Sequence, residues 1–302
     1  MNLGYACINM ELSEQGICTN RGMIKRTFQQ KGIDYASELA LKNLEDLVKV
    51  LEWNSKKGVT VYRMSSCLFP WMSEYEFHQM PNFSEVEKVC RRIGELSNET
   101  GQRLSFHPGH FDILPSNNPE RVLATIRDLD QHAQIMDMMG LRTDCYNTIN
   151  IHVGGAYGDK ATTMEKFCEK FHLLQDSAKK RLTVENDDKA NMYSAKDLYE
   201  GIFLKIGIPI IFDFHHHRMC DGGLTEEEAL KLSALTWPKG IKPLTHYSSS
   251  KRDHEDPTSN KQAHADYVYE VINQYGLDID IEVEAKAKER AVFSYLEKFV
   301  TF

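Results

Sequence analysis

The 302-residue sequence predicts an α/β fold, a single (β/α)8 TIM barrel, and three observations carry that prediction. Eight short apolar runs alternate with stretches of helical periodicity from one end of the chain to the other. No low-complexity linker or shift of composition divides residues 1–302, which read as one catalytic domain. The first apolar run is not followed by a Gly-rich phosphate turn, as the doubly wound open sheet, the alternative for an alternating chain, would usually require.

The runs are taken in order. Residues 2–8 form the first strand, with Tyr5 and Asn9 near its end. A long polar loop follows over 10–34, in which Arg21, Lys25, Arg26 and Lys31 carry positive charge without an acidic neighbour between them. Such a loop suits phosphate contacts, and equally a solvated surface. Leucines and valines between 39 and 51 repeat at helical spacing, with Ser37 as N-cap and Gly58 as stop. The second strand, VTVYRMSS, runs into CLFPWMSEYEF, where Phe69 and Trp71 offer either a stacking platform or a satellite apolar cluster. A helix then opens with Ser84 and Glu87 in a capping box. The third strand ends at His107, and a helix spans 117–139. The fourth strand ends at His152 and is followed by a helix through TTMEKFCEKFHLLQDSAKK. The fifth carries Glu185, and SAKDLYEGIFLKIG is helical. The sixth, PIIFDFHHH, runs straight from apolar residues into Asp213 and His216 as D-x-x-H. A helix capped by Thr225 leads to the seventh strand, which ends at His246. SNKQAHADYVYEVINQYG reads as a helix with His264 in its first turns. In the eighth strand Asp280, Glu282 and Glu284 alternate onto one face, and a last helix runs from about 286 to 302.

A barrel brings the C-terminal ends of all its strands to one mouth. That mouth would receive His107, His152, Glu185, Asp213, His216, His246 and Glu284, with His264 close by. Each alone has a bland structural explanation, a hydrogen-bonded core histidine or a paired carboxylate. Together they would bury several carboxylates at large cost unless cations neutralised them. Five imidazoles and three carboxylates exceed one site, and mixed nitrogen and oxygen donors suit manganese or zinc. Such clusters act in phosphodiester cleavage. No G-x-S-x-G or other nucleophile signature competes.

Hydrophobic content of 41% supports a large core, and a net charge of −8 argues against a nonspecific nucleic-acid coat. It does not exclude a nucleic-acid enzyme, because carboxylates around metal ions count as negative. Seven cysteines without a C-x-x-C read as a reduced intracellular protein. No signal-like segment or membrane-length apolar run is present, so no membrane partner is expected, and monomer is the default state.

At this point LGYACIN, YRMSSCLFPW, SFHPG, INIHVGG, TVEND, FDFHHHR, THYSS, HADYV and VEAKAKE, in this order, resemble the UV damage endonucleases over essentially the whole chain. These are relatives of the endonuclease-IV-like nucleases among the xylose-isomerase-like barrels. The resemblance implies a manganese-dependent enzyme, with two or three ions and zinc or magnesium as substitutes, that nicks double-stranded DNA immediately 5′ to cyclobutane dimers and 6-4 photoproducts. It implies His107, His152, Glu185, Asp213, His216, His246, His264 and Glu284 as metal ligands, with Glu185, Asp213, His246 and Glu284 central to catalysis. Glu74 stands where the family has a further histidine, and Leu244 where some members have a modified lysine. Tyr5 and Asn9 match lesion-pocket residues. His110-Phe111 replaces the family's Gln-Tyr wedge. Phe111, His110 and Tyr157 would fill the gap left by a displaced lesion, with Arg21, Lys25 and Arg26 on phosphates. An apurinic-site nuclease and a sugar isomerase or epimerase on the same barrel are the competing readings.

Overall fold

The computed structural model describes residues 2–300. Eight strands lie parallel: β1 (Asn2–Ala6), β2 (Val61–Arg63), β3 (Arg103–Ser105), β4 (Ile149–Ile151), β5 (Leu182–Glu185), β6 (Ile210–Asp213), β7 (Leu244–Tyr247) and β8 (Asp280–Val283). Their order, β3-β2-β1-β8-β7-β6-β5-β4, is that of a barrel opened between β3 and β4. There the main-chain ladder closes through Phe106, whose N–H donates to Thr148 O at 2.8 Å and whose carbonyl accepts from Asn150 N at 2.9 Å. All eight strands fall inside the apolar runs anticipated from the sequence. This is the (β/α)8 architecture.

The outer faces of the strands pack beneath the helices in one apolar cluster, while the barrel's interior is largely polar. Along β8 the inward residues climb from Asp280 through Glu282 toward Glu284 at the mouth. At the base, fully buried Arg103 pairs with Asp280 at 3.1 Å and donates to the carbonyls of Tyr146 and Lys242 at 2.7 Å each. A small apolar plug of Val61, Cys145, Ile211, Trp237 and Leu244 closes that end. Gly4 is required where β1 approaches β2, since a Cβ there would lie 1.8 Å from the Val61 carbonyl oxygen.

The helices depart from expectation in several places. The polar loop over 10–34 is partly helical. Asn9 caps a single turn, α1 (Met10–Ser13), and α2 (Lys25–Lys57) starts twelve residues before Ser37. Gly32, at φ 63°, kinks α2. Ser37 is buried inside the helix and hydrogen-bonds Asn82 instead of capping. In α3 (Phe83–Thr100) Ser84 already lies within the helix, so the Ser84–Glu87 box does not form. Helix α4 (Pro119–Met138) is capped by Asn118. The next helical stretch breaks into α5 (Lys160–Phe171) and α6 (Asp176–Arg181). Ser194 caps α7 (Ala195–Leu198), which continues through a π-helical turn over Tyr199–Phe203 into α8 (Leu204–Ile206). Asp213 caps α9 (Phe214–His217), and Thr225 with Glu228 forms the expected box on α10 (Glu226–Ala234).

After α11 (Lys251–His254), the helix expected over 259–276 is absent. His264 instead forms an antiparallel bridge with Ser250, and Ala265 N donates to Ser249 O at 2.9 Å. This lays the segment across the mouth in extended form and tucks Val268 and Ile272 into the core. The last helix, α12 (Glu289–Phe299), starts after Lys288, and Thr301 and Phe302 lie outside the described residues. Phe69 is buried against Phe77, and Trp71 stacks on Phe28 with ring centroids 5.4 Å apart, so neither offers an open platform. Among the described residues no helix is long and apolar enough to cross a membrane.

Candidate metal centre and active site

Glu185, at the end of β5 and almost fully buried, is the hub of the mouth. Its Oε2 lies 3.1 Å from His107 Nε2 and 3.8 Å from His152 Nε2, and its Oε1 lies 3.3 Å from His216 Nδ1 and 3.1 Å from His246 Nδ1. Two groups therefore share one carboxylate: His107–Glu185–His246 and His152–Glu185–His216. In each, donor atoms converge within 4.8 Å, close enough to hold a metal ion. Asn150 donates to Glu185 from the neighbouring strand and fixes its plane.

Hydrogen bonds behind the imidazoles define which nitrogen faces inward. His107 Nδ1 lies 3.1 Å from Pro108 O, His216 Nδ1 2.9 Å from Asn186 O, and His264 Nδ1 3.2 Å from Glu284 O. A main-chain carbonyl accepts only from N–H, so these contacts assign the proton to Nδ1 and leave the Nε2 lone pair free. His107 Nε2 then meets a Glu185 oxygen at 3.1 Å, a contact completed by a second proton or by a metal ion. Asp213 agrees: its Oδ2 is buried without a hydrogen-bond partner, although its Oδ1 accepts from His216 N at 2.7 Å. An unpaired buried carboxylate oxygen is costly, and beside two His/Glu groups it fits divalent ions of borderline hardness.

Electrostatics point the same way. Burial alone would raise the Glu185 carboxyl, but His246, His152 and His107 hold it well below the usual range. Burial would lower His152, yet Glu185 and Asp187 push it up to about 9. Burial also opposes the charge of Glu284, which Arg63 and His246 nevertheless hold well below its ordinary value. Positive charge is in demand throughout, from protons or from metal ions.

Glu284 and His264 form the outer edge, 3.5 Å apart, and Glu284 lies 3.5 Å from His246. Three groups that the strand-end pattern did not single out support the ligands. Asp187 lies 3.1 Å from His152 Nδ1, and Glu282 lies 3.1 Å from His246 Nε2. Carboxylates behind metal-binding imidazoles orient the ring and raise its basicity. Arg63 bridges Glu284 at 2.5 Å and Glu282 at 3.6 Å. The signals were present: Asp187 follows Glu185 by two in END, and Glu282 lies on the alternating face of β8.

Other expected site residues fall elsewhere. Glu74 is exposed on a short 3-10 turn, Met72–Glu74, and belongs to neither ligand group. Tyr5 and Asn9 are buried: the Tyr5 hydroxyl donates to Asn54 at 2.6 Å and accepts from Asn9 at 2.8 Å. They shape the mouth from beneath and present no surface to a lesion. Arg21 is tied to Asp46 at 2.7 Å and to the Cys18 carbonyl, which removes it from the free cations. Lys25 and Arg26 are exposed on the first turn of α2, not in a loop. His110 and Phe111 stand out from the β3–α4 loop with rings 4.0 Å apart, and Phe111 is 70% exposed. His110 lines a cavity of about 560 Å3 that reaches down to His107, His152 and His216.

The fold and site thus define a (β/α)8 protein with two His/Glu groups at the strand ends that could hold metal ions. A family model described as UV-endonuclease UvdE matches residues 1–302, and the chain belongs to that family, the DNA endonucleases of UV damage. It is 33% identical to the UV-damage endonuclease of Schizosaccharomyces pombe over 98% of this chain and 50% of that protein. It is 33% identical to the UV DNA damage endonuclease of Bacillus cereus over 91% of this chain and 86% of that protein. The chain therefore spans half the length of the yeast relative and most of the bacterial one. The crystal structure of SacUVDE superposes with a TM-score of 0.84 at 29% identity, covering 100% of both chains.

Proposed function

We propose that this protein, acting as a monomer and as one barrel domain over residues 1–302, nicks double-stranded DNA immediately 5′ to UV photolesions and leaves 3′-hydroxyl and 5′-phosphate ends. The observation that carries the reading is Glu185, one buried carboxylate whose oxygens lie 3.1–3.8 Å from four imidazoles, in two groups that could each hold a metal ion. His107 and His246 would hold one ion and His152 and His216 another, with Asp213, Glu284 and His264 completing the shell. Manganese suits this mixed set best, with zinc or magnesium as substitutes. Bound divalent ions would supply Lewis acidity toward a phosphate oxygen and a water of lowered pKa.

The chain's own groups do the rest. Glu185 and Asp213 supply the negative charge that fixes cations at the mouth. Glu282 and Asp187 orient His246 and His152. Arg63 holds Glu284 in place from below. Phe111, backed by His110, enters the duplex where photodamage has weakened stacking, so a lesion rotates out at lower cost. Lys25 and Arg26 offer charge to phosphates along one side. The names of the relatives support UV damage as the substrate class.

The test is a nicking assay with added manganese on duplexes carrying a cyclobutane dimer, an abasic site or no damage. Cleavage just 5′ to the dimer is expected. Cleavage of the abasic duplex alone would move the protein to the apurinic-site nucleases, and no cleavage of either with metal bound would direct attention to sugar substrates.

A further inference from the structure

Five residues other than glycine hold a positive φ among the described residues, and two of them, Cys7 at 68° and Lys288 at 53°, come from opposite ends of the chain to stand beside Arg63. Lys288 lies on the loop between β8 and α12, at the mouth. At φ 53° and ψ −126° it occupies backbone space that suits glycine, and such strain persists only where the surroundings impose it. Here they do. Glu289 is almost fully buried, and its carboxylate accepts from Met10 N at 2.8 Å and from Glu11 N at 2.9 Å, at the start of α1. On the other side Lys286 N donates to Ala265 O at 3.0 Å and Ala287 N to Asp266 O at 2.9 Å. Lys288 is the single residue between these anchors, and it takes the strain.

The side chain that results is a half-buried cation in the field of Arg63, Lys286, Glu284 and Cys7. The nearby carboxylates are already engaged. Glu284 and Glu282 pair with Arg63, Glu284 also meets His246 and His264, and Glu289 serves α1. Among the described residues neither Lys288 nor Lys286 forms a salt bridge. An ammonium drawn partly out of water beside another cation is unfavourable until an anion completes it. A role in the fold alone would be met better by glycine, which removes the backbone strain and the desolvation together. A cation held in this way at the rim of a carboxylate-lined mouth suits the approach of a polyanionic strand.

We propose that Lys288 is a substrate-binding residue whose ammonium takes a backbone phosphate of the incised strand on the β8 side of the mouth. The inference rests on the reading of the protein as a lesion nuclease. It adds to that reading a phosphate contact on the β8–α12 loop, distinct from Lys25 and Arg26 on α2.

The test uses the full chain, added manganese and photodimer duplexes. Wild type, K288R, K288M and K288G are compared for kcat and KM over a series of potassium chloride concentrations, for manganese affinity by calorimetric titration, and for melting temperature. A phosphate contact predicts a raised KM in K288M and K288G, with K288R close to wild type, and a slope of log KM against log salt shallower by about 0.9. A neutral methylphosphonate, moved along the incised strand on either side of the scissile bond, should raise KM for wild type at one position where K288M is indifferent. Manganese affinity should not change, and K288G should melt above wild type because glycine relieves the strain. A lysine kept for the fold would give K288G a lower melting temperature and an unchanged salt slope. One kept to balance Glu284 would alter manganese affinity in K288M, again with an unchanged slope. Either result overturns the proposal, and so does a methylphosphonate scan in which every position affects wild type and K288M alike. Failure of the wild type itself to nick the photodimer duplex would overturn the lesion-nuclease reading on which the inference rests.

Discussion

At the scale of single residues, the carboxylates behind the imidazoles are separable from those that face the ions. Glu282 and Asp187 touch His246 and His152 at 3.1 Å on the side away from Glu185. Glu282→Gln and Asp187→Asn should each weaken metal affinity by roughly 10- to 100-fold, measured by calorimetric titration of the apoprotein. Glu185→Gln removes the charge common to both groups, so it should abolish bound metal and nicking together. Retention of nicking by that variant would dismiss the metal assignment. Asp112, in the loop that carries Phe111, allows a different experiment. Burial, and then the neighbouring Asp128, push its carboxyl up to about 7 against the partial relief of His132. A carboxyl raised in the folded state holds its proton there after the unfolded chain has lost it. Stability therefore falls as pH climbs from about 4 to about 7 and stays level above. Asp112→Asn should flatten that slope and leave the variant more stable than wild type at pH 8. After discounting for the part of the carboxyl that solvent reaches, the gain is on the order of 2 kcal/mol. Chemical denaturation at several pH values measures it, and an unchanged slope would refute the raised carboxyl.

At the scale of elements, helix α3 meets α4 so closely that a Cβ on Gly94 would lie 1.6 Å from the Met139 carbonyl oxygen. Gly94→Ala must push the two helices apart and should cost about 1–3 kcal/mol, read as a drop in melting temperature. Alternation made the strands legible, and parallel topology sent their terminal residues to one mouth, so His107, His152, Glu185, Asp213, His216, His246 and Glu284 were readable in the sequence. The rest depended on partners distant in sequence. Arg21 looked free because Asp46, 25 residues later, gave no local sign of reaching it. Tyr5 and Asn9 were matched to the lesion pocket by resemblance, and their burial was not legible because their mutual hydrogen bond exists only once the chain turns into α1. Val268 and Ile272 sit four apart, as on a helix, yet the bridge between Ser250 and His264 draws that segment out straight. Long-range pairing there overrides a helical pattern.

On the scale of the whole molecule, the barrel's interior concentrates charge that most barrels replace with packed aliphatic residues. Glu185, Glu282 and Asp213 are each at most 1% exposed, so cations that bind the folded state alone should contribute strongly to its stability. Chelation should lower the melting temperature, and manganese at a hundred times its dissociation constant should restore about 2.7 kcal/mol. A melting temperature indifferent to chelator and metal would contradict that coupling.

The ring is also unevenly hooped. Seven of its joints are ladders, whereas the eighth, between β3 and β4, hangs on the two main-chain hydrogen bonds of Phe106. His107 follows that residue directly, and His152 stands just beyond Asn150 on the other lip. Ions anchored on Glu185 and reaching both histidines would act as a clasp across the weakest joint of the hoop. Amide hydrogen exchange at Phe106 and Asn150 should accordingly slow when metal is added, more than at the β7–β8 joint. An unfastened clasp would slacken the two lips that carry Phe111 and Tyr157, so an ion-depleted enzyme would lose its hold on DNA geometry as well as its chemistry.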